Sequence, residues 1–203
     1  MIEKLARKFT VMFVKNGLVK EENQYIYTYG AELLISGLLS TITVLILGIV
    51  LGRLIETLLL MIPFYFIRIY AGGYHAETYR NCLLSFTIGF IVILISTDLL
   101  IQFKLDYIVM YLAFIAAMVI FVIAPIEDHS RPLTVNERTK YNRIAKVLVT
   151  LFLIIAEIMY WRYYWHRMAY ISMAIIVVSI VLWIGVIKNK IIGFDSKTFK
   201  LKN

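Results

Sequence analysis

Six long apolar runs, separated by short polar connections, constrain this chain more than any other feature of its sequence. We place them at residues 33–51, 54–70, 83–101, 107–124, 144–161 and 169–187. Most of them approach the roughly 20 residues that a helix needs to cross a bilayer. With 61% apolar residues in a chain of 203, a water-soluble domain is excluded, because such a domain would expose too much apolar surface. We therefore predict an all-α polytopic integral membrane protein with about six transmembrane helices, in which residues 1–203 form a single domain.

Two segments of the chain allow more than one interpretation. The second run is the shortest, and Pro63 within it predicts a kink. A count of four spans, with the second and fourth runs re-entrant or buried, is the alternative. Ahead of the first run, residues 1–18 place apolar side chains at helical spacing between lysines, which predicts an amphipathic helix lying on the inner leaflet. A frayed basic N-terminus is the other interpretation of this segment.

The distribution of basic residues predicts the orientation. If the N-terminus is inside, 17 of the 21 Lys and Arg residues lie on the inner side. This asymmetry predicts a cell-membrane protein whose two termini lie in the cytoplasm, together with the loop at residues 68–82. The aromatic cluster at residues 160–165 would then lie at the outer interface, and Asp98 and Glu157 would point to headgroups or a partner helix near the outer ends of their spans.

Charge and cysteine content exclude several other classes of protein. The net charge of +8 comes from basic residues between apolar runs, which favours contact with anionic lipid headgroups over nucleic acid. The single cysteine, Cys82, cannot form an intramolecular disulfide or a multi-cysteine zinc site. We expect no metal, no cofactor and no cleavable signal peptide. Small membrane proteins often dimerise, so a homodimer is one option for the assembly.

The inner loop between the second and third runs concentrates the residues that can carry chemistry. It contains Cys82, His75 and the Gly72-Gly73 pair. A zinc deaminase would need a second motif that the chain lacks, and a structural zinc site would need more ligands. A cysteine nucleophile with a histidine base needs only Cys82 and His75. The alternative is a buried, inert cysteine beside an interfacial histidine.

Geometry limits that pairing. In one unbroken helix, His75 and Cys82 would share a face but lie about 10.5 Å apart along the axis. This exceeds the roughly 3 Å reach of a hydrogen bond, so the chain between them must depart from a straight helix. Gly72-Gly73 permits such a turn. Thr78 or Asn81 is expected to cap the third span, which leaves Cys82 in its first turns, where a helix N-terminus favours thiolate.

The loop also resembles a known signature. The pattern Arg68-x-x-Ala-Gly-Gly-Tyr-His75-Ala-Glu77-Thr-x-x-x-Cys82 is similar to that of the AgrB family, the membrane peptidases that mature peptide pheromones in Gram-positive bacteria. The segment 29–32 resembles the family's N-terminal Tyr-Gly motif, and segments 124–127, 131–133 and 137–138 resemble its polar loop before the fifth span. The length and the six-span plan are also similar, so the resemblance extends over most of the chain.

The resemblance implies a cysteine endopeptidase that removes the C-terminal tail of an AgrD-type precursor and supports closure of a thiolactone or lactone ring. It assigns the base to His75 and the nucleophile to Cys82, and supporting roles to Arg68 and Gly73. Glu77 and Arg80, in the same loop, are further candidates for binding or support. Arg68 would bind the acidic precursor tail or stabilise the oxyanion, although a snorkelling interfacial arginine is its simpler interpretation.

Other polar residues give weaker signals. Glu127 is a candidate to orient the imidazole, as is Glu77, but solvated loop charge is the simpler interpretation of each. A small transporter or exporter without peptidase activity is the rival class. It predicts ionisable residues at mid-membrane, whereas the polar residues of this chain cluster at the inner face. A purely structural protein is the third alternative.

Overall fold

The computed structural model describes residues 2–73, 79–127 and 133–192, and most of these residues are helical, with no strand among them. The helices are α1 (Ile2–Lys15), α2 (Gln24–Val50), α3 (Leu54–Ala71), α4 (Tyr79–Gln102), α5 (Asp106–Ile123), α6 (Val135–Trp161) and α7 (Trp165–Ile192), with a short 3-10 helix at Glu21–Asn23. Six of them, α2 to α7, are long and apolar enough to cross a membrane. The predictions of an all-α multi-pass membrane protein and of six spans are confirmed.

Five of the six spans are longer than the apolar runs that predicted them. Helices α2 and α6 each begin nine residues before the predicted start. At α6 the physical reason is a capping box: the Thr134 side chain accepts from the Glu137 N–H, and the Glu137 carboxylate accepts from the Thr134 N–H. A hydropathy window sees only the apolar part of such a helix, because the first turns carry polar residues. Helix α3 continues on both sides of Pro63, and the predicted kink stays a prediction.

The chain divides into two compact units. The first contains residues 1–52 and 76–91, and the second contains residues 53–75 and 92–203. In the first unit, α1 packs on α2 and buries Ala6 and Thr10, which lie one helical turn apart. Leu5, Phe9 and Met12 remain exposed. The amphipathic N-terminal helix is therefore present; its place on the inner leaflet stays a prediction.

Helix α7 is the centre of the second unit. It packs against α3, α5 and α6, and it contributes Ile175, Val178 and Leu182 to the buried core. Alanines on the neighbouring helices, such as Ala117 and Ala145, let the helices approach closely. Large apolar side chains on the outer faces are exposed, as expected for helices surrounded by lipid.

The second unit has two polar ends. Helices α3, α5 and α7 run from one end to the other, and α6 runs in the opposite direction. We call one the glycine end, defined by Gly72, Gly73, Glu127, Asn142 and Asn189. We call the other the Arg53 end, defined by Arg53, Glu56, Asp98 and Tyr170.

Candidate active site

Cys82 is the fourth residue of α4, and its half-buried thiol is free. Because α4 begins at Tyr79, Asn81 lies inside the helix, and the prediction that Asn81 caps it is wrong. Thr78, the other predicted cap, lies outside the described residues. The first turn of a helix leaves backbone N–H groups without intrahelical acceptors, and this end attracts negative charge. Cys82 therefore lies in the first turns of the helix, where the sequence placed it, and its role as the nucleophile stays a prediction.

Gly72 ends α3 in a conformation that requires glycine. Its φ is +74°, and its N–H donates to the Arg68 carbonyl at 2.9 Å. It also pairs with Ile126 in an isolated parallel bridge, in which the Ile126 N–H donates to the Ala71 carbonyl at 2.9 Å. A Cβ on Gly72 would overlap the carbonyl oxygen of Ile126. Both the left-handed backbone and the close approach of a second chain segment explain the glycine.

Gly73 is held against α7. It is buried, its φ is +115°, and an added Cβ would lie 3.1 Å from Val181 Cγ1 and 3.2 Å from the Val181 carbonyl oxygen. The backbone of the loop therefore leaves α3 in contact with a neighbouring helix. Helix α3 ends at Ala71, so the glycine pair interrupts the helix as expected. The departure from a straight helix between His75 and Cys82 stays a prediction, because residues 74–78 lie outside the described part of the chain. The requirement for Gly73 that the family resemblance implies has a steric explanation in this packing.

Arg68 lies in the last turn of α3, with its guanidinium carbon 5.7 Å from the centroid of the Phe64 ring. This cation–π contact orients the side chain without neutralising its charge. The position is compatible with binding a carboxylate or an oxyanion and equally with an interfacial arginine. Its role in substrate binding stays a prediction.

The remaining predicted site residues are only partly described. His75 and Glu77 lie outside the described residues. Arg80 is the second residue of α4, and its side chain lies outside the described part of the chain. The pairing of His75 with Cys82, and the roles of Glu77 and Arg80, therefore stay predictions.

A polar framework that the sequence reading missed holds the segment 124–127 at the glycine end. The Asn142 amide donates to the Ala124 carbonyl at 2.6 Å, and the Asn189 amide donates to the Glu127 carbonyl at 2.8 Å. Asn142 lies on α6 and Asn189 on α7, so two helices fix this segment while Ile126 pairs with the end of α3. The available signal was the isolated asparagine near the end of each apolar span, a residue that needs hydrogen-bond partners.

Glu127 is buried, contrary to its interpretation as a solvated loop charge. It is 7% exposed, and its Oε1 has no hydrogen-bond partner among the described residues. The nearest cation contact that the structure describes is Arg138 Nη1, 3.7 Å from Oε1. This distance suits a loose ion pair but exceeds a hydrogen bond. Asp128 and His129 lie outside the described residues.

At the Arg53 end, the residues of a second polar cluster bind one another. Arg53 donates from Nη1 and Nη2 to the two Asp98 carboxylate oxygens at 2.7 and 2.6 Å, and from Nη2 to the Tyr170 hydroxyl at 2.7 Å. The Tyr170 hydroxyl donates to Asp98, and Glu56 lies 3.4 Å from Arg53 Nε. The hydrogen bond to Asp98 raises the pKa of the Arg53 guanidinium above its usual value. Of the two orientations expected for Asp98, toward headgroups or toward a partner helix, the second is confirmed, because Asp98 binds Arg53 at the start of α3 and Tyr170 on α7.

Comparisons with known proteins agree on one family. The sequence model of accessory gene regulator B matches residues 6–187. AgrB-like protein 2 of Clostridium perfringens strain 13 is 27% identical over 186 residues, which cover 87% of this chain and 86% of that protein. An AgrB-like protein of Clostridium perfringens strain SM101 is 26% identical over 188 residues, with the same two shares. No solved structure matches the chain.

Proposed function

This chain belongs to the accessory gene regulator B (AgrB) family, and from that premise we propose that it is a membrane cysteine endopeptidase that matures a pheromone precursor. Membership supports a role in the accessory gene regulator system. The proposed substrate is an AgrD-type peptide with an amphipathic leader, a central cysteine or serine, and an acidic C-terminal tail. The proposed nucleophile is Cys82 and the proposed base is His75.

The observation that carries the proposal is the position of Cys82 in the first turns of α4, a few residues after Gly72 and Gly73, which end α3 in fixed, packed conformations. A helix N-terminus supports a thiolate, and a packed glycine pair gives the loop a defined starting point. Both features are what a cysteine nucleophile with a nearby base requires. Neither is needed by an inert cysteine in an apolar span.

The reaction proceeds in two acyl transfers. His75 takes the thiol proton of Cys82, and the thiolate attacks the carbonyl that precedes the acidic tail. The C–N bond breaks, the tail amine leaves with a proton from His75, and a thioester to Cys82 forms. The precursor's own cysteine then attacks this thioester, which closes a thiolactone and returns the thiol to Cys82. Because a thioester is less stable than an amide, the site must exclude water and the released tail must be removed.

We place this chemistry on the cytoplasmic side, with both termini, because the basic residues concentrate there in the predicted topology. Anionic headgroups would surround the site. Arg68 and the basic segment 131–146 would then attract the acidic tail of the precursor. Arg80, Gly73 and Glu77 are supporting residues of the same loop.

The test uses the full-length protein in vesicles with a synthetic AgrD-type precursor, and mass spectrometry follows tail release. Cys82→Ala should lower the rate by about 10³-fold or more, and His75→Ala almost as much. The double variant should be no slower than either single variant, since residues that act as one unit are not additive. Cys82→Ser should retain a trace of activity. Folded protein is quantified for each variant.

A trapped intermediate gives the second readout. Changing the precursor's internal cysteine to alanine removes the second nucleophile but not the first. A hydroxylamine-sensitive thioester should then accumulate on Cys82, or a linear peptide should be released slowly. If the Cys82→Ala variant releases the tail at the full rate, Cys82 is not the nucleophile and the proposed active site is wrong. Precursor transport without any cleavage would instead favour the exporter alternative.

A further inference from the structure

Two basic residues of the second unit lie where α6 enters the apolar layer. The Asn142 amide donates to the Ala124 carbonyl at 2.6 Å, which places Asn142 level with the end of α5. Helix α5 has 18 residues, and its length of about 27 Å nearly matches the roughly 30 Å hydrocarbon core of a bilayer. The end of α5 is therefore expected at the edge of that core. Arg143 lies at this level, and Lys146 lies about 6 Å, one helical turn, further inside.

The charges of these two residues have no carboxylate partner among the residues that the structure describes. The ammonium nitrogen of Lys146 lies 5.9 Å from the centroid of the Phe121 ring on α5, a contact that orients the charge without neutralising it. Of the nearby acidic residues, Glu127 is buried, and the carboxylate of Glu137 is bound to Thr134. Because a charge inside the apolar layer is costly without a partner, these two cations call for an anion from outside the described chain.

The surface beside the two cations is apolar and exposed. On α6, an exposed stripe at helical spacing begins at Arg143 and continues with Val147, Leu151, Ile154 and Ile158. On α5, Met118 and Val122 are exposed near the same end. In a membrane these faces contact acyl chains. Cations above an apolar surface match a phospholipid, whose phosphate lies at the edge of the hydrocarbon core and whose chains lie within it.

We propose that Arg143 and Lys146 bind the phosphate of an anionic phospholipid, whose acyl chains lie along the exposed faces of α5 and α6. Residues three apart are neighbours on a helix surface, with Cβ atoms about 5–6 Å apart, so both side chains reach one headgroup. A guanidinium supplies paired N–H donors to phosphate oxygens, and an ammonium supplies a compact charge. The proposal does not rest on the proposed function.

The position of Lys146 favours a lipid over the acidic tail of a precursor. The residue lies below the level at which α5 ends, beside apolar faces that water does not cover in a membrane. An acidic peptide in water reaches basic residues further out on α6, such as the exposed Lys140. The basic segment 131–146 therefore divides into an outer part that faces water and an inner pair that faces lipid.

The test measures how phosphatidylglycerol and phosphatidylcholine with identical acyl chains bind to the full-length protein in detergent, by native mass spectrometry. The wild type should bind the anionic lipid about 10- to 30-fold more tightly, since each basic residue near an anionic lipid contributes roughly a factor of five. The double variant Arg143→Gln/Lys146→Gln should lose this preference. Equal affinity of the wild type for the two lipids would overturn the proposal.

The matched control is Lys140→Gln/Lys190→Gln. It removes the same two charges from exposed positions at the glycine end, on α6 and α7. It should keep the preference of the wild type for phosphatidylglycerol. If the control loses the preference as fully as the double variant of Arg143 and Lys146, net charge explains the binding and the proposed site is wrong.

Two competitors identify the ligand. Glycerol phosphate carries the same phosphate without acyl chains, and it should leave the lipid bound when it is added at the same concentration. A synthetic acidic tail peptide should do the same. Displacement by glycerol phosphate would make this a site for soluble phosphate. Displacement by the peptide, with weaker binding of that peptide to Arg143→Gln/Lys146→Gln, would assign the site to the precursor tail. Either result overturns the proposal.

A second measurement does not depend on the folding of the double variant. In a Cys82→Ala background, a bimane on Val122→Cys, 84% exposed at the end of α5, is compared with one on Ile55→Cys, which is exposed at the Arg53 end. Phosphatidylglycerol with a nitroxide near its headgroup should quench the bimane at Val122 at least about two-fold more than the matching phosphatidylcholine. At Ile55 the two lipids should quench equally, because Arg53 is bound to Asp98. Equal quenching at Val122 would contradict the proposal.

Discussion

The two polar ends of the second unit differ in whether their charges find partners. At the Arg53 end, the Asp98 carboxylate receives two guanidinium hydrogen bonds and one from the Tyr170 hydroxyl. At the glycine end, Glu127 is more deeply buried, yet its Oε1 has no hydrogen-bond donor among the described residues. Both ends use α3 and α7, while α4 contributes only to the Arg53 end and α6 only to the glycine end.

A carboxylate whose oxygens are hydrogen-bonded to its neighbours and a buried carboxylate with an oxygen that lacks a donor suit different purposes. Asp98 and Arg53 lie on α4 and at the start of α3, and Tyr170 lies on α7. Their hydrogen bonds connect neighbouring helices and engage both carboxylate oxygens of Asp98, which is typical of a structural contact. A buried acceptor without a donor is instead able to serve a second group, such as the base of a reaction. The comparison therefore suggests a structural role for the Arg53 end, while a chemical role for the glycine end stays part of the proposed function.

The largest expected effect concerns the sides of the membrane on which the ends lie. In a Cys82→Ala background, Ile191→Cys should resist a membrane-impermeant thiol reagent on intact cells, while Arg162→Cys should react promptly. Ile191 is 79% exposed near the glycine end, and Arg162 is an exposed residue that follows α6 at the other end. Asn189 is unsuitable as a probe because it binds the Glu127 carbonyl. Permeabilised cells give the control, and equal labelling of both positions in intact cells would contradict the topology.

The second effect concerns the glycine end itself. Gly72→Ala should reduce precursor processing by about 100-fold, because alanine is strained at φ +74° and its Cβ would overlap the Ile126 carbonyl. The matched control is Gly37→Ala on α2, where an added Cβ meets nothing within 4 Å. The control should process normally and keep its thermal midpoint. Normal processing by a folded Gly72→Ala protein would show that the bridge to Ile126 does not serve the site.

The third effect is a loss of stability at the Arg53 end. Asp98→Asn should destabilise the protein by about 1–3 kcal/mol, because it removes the ionic component of two hydrogen bonds from Arg53. Thermal unfolding in one detergent measures the loss, and kcat per folded molecule should stay within a few-fold of the wild type. The double variant Arg53→Gln/Asp98→Asn should lower the free energy of unfolding by less than the sum of the two single losses, since both substitutions remove the same contact. A selective loss of kcat would contradict the structural assignment of this cluster.

The smallest effect concerns recognition of the precursor tail. Neutralising its acidic residues should weaken processing several-fold at low salt and less at high salt, because exposed charges are screened. The measurement is KM for charged and neutral tails across ionic strengths. The same KM for both tails would mean that Arg68 and the basic segment 131–146 serve orientation alone.

The fold was largely predictable because apolar length dictates a transmembrane helix. The six runs predicted the six helices, and the polar first turns of α6 were missed because a capping box extends a helix beyond its apolar stretch. The requirement for glycine at Gly72 was predictable as a break. Its cause, the close approach of Ile126, was not, because residues 54 positions apart give no local signal.

The polar contacts were the least predictable part. Asp98 could be recognised as an unusual charge within a span, but its partners, Arg53 and Tyr170, lie 45 and 72 residues away in sequence. Glu127 was interpreted as solvated because loops are usually exposed. The segment that carries it is held by Asn142 and Asn189, two residues whose hydrogen bonds exist only after the helices have packed.

The position of α7 late in the chain affects how the protein assembles during its synthesis. Helix α7 packs against α3, α5 and α6, yet it leaves the ribosome after all three of them. Until it is inserted, the earlier helices lack their shared neighbour, Asp98 and Arg53 lack the Tyr170 hydroxyl, and Glu127 lacks the amide of Asn189. Both polar ends are therefore completed only after α7 has been inserted, and a chain truncated before α7 would insert its earlier spans without assembling either of them.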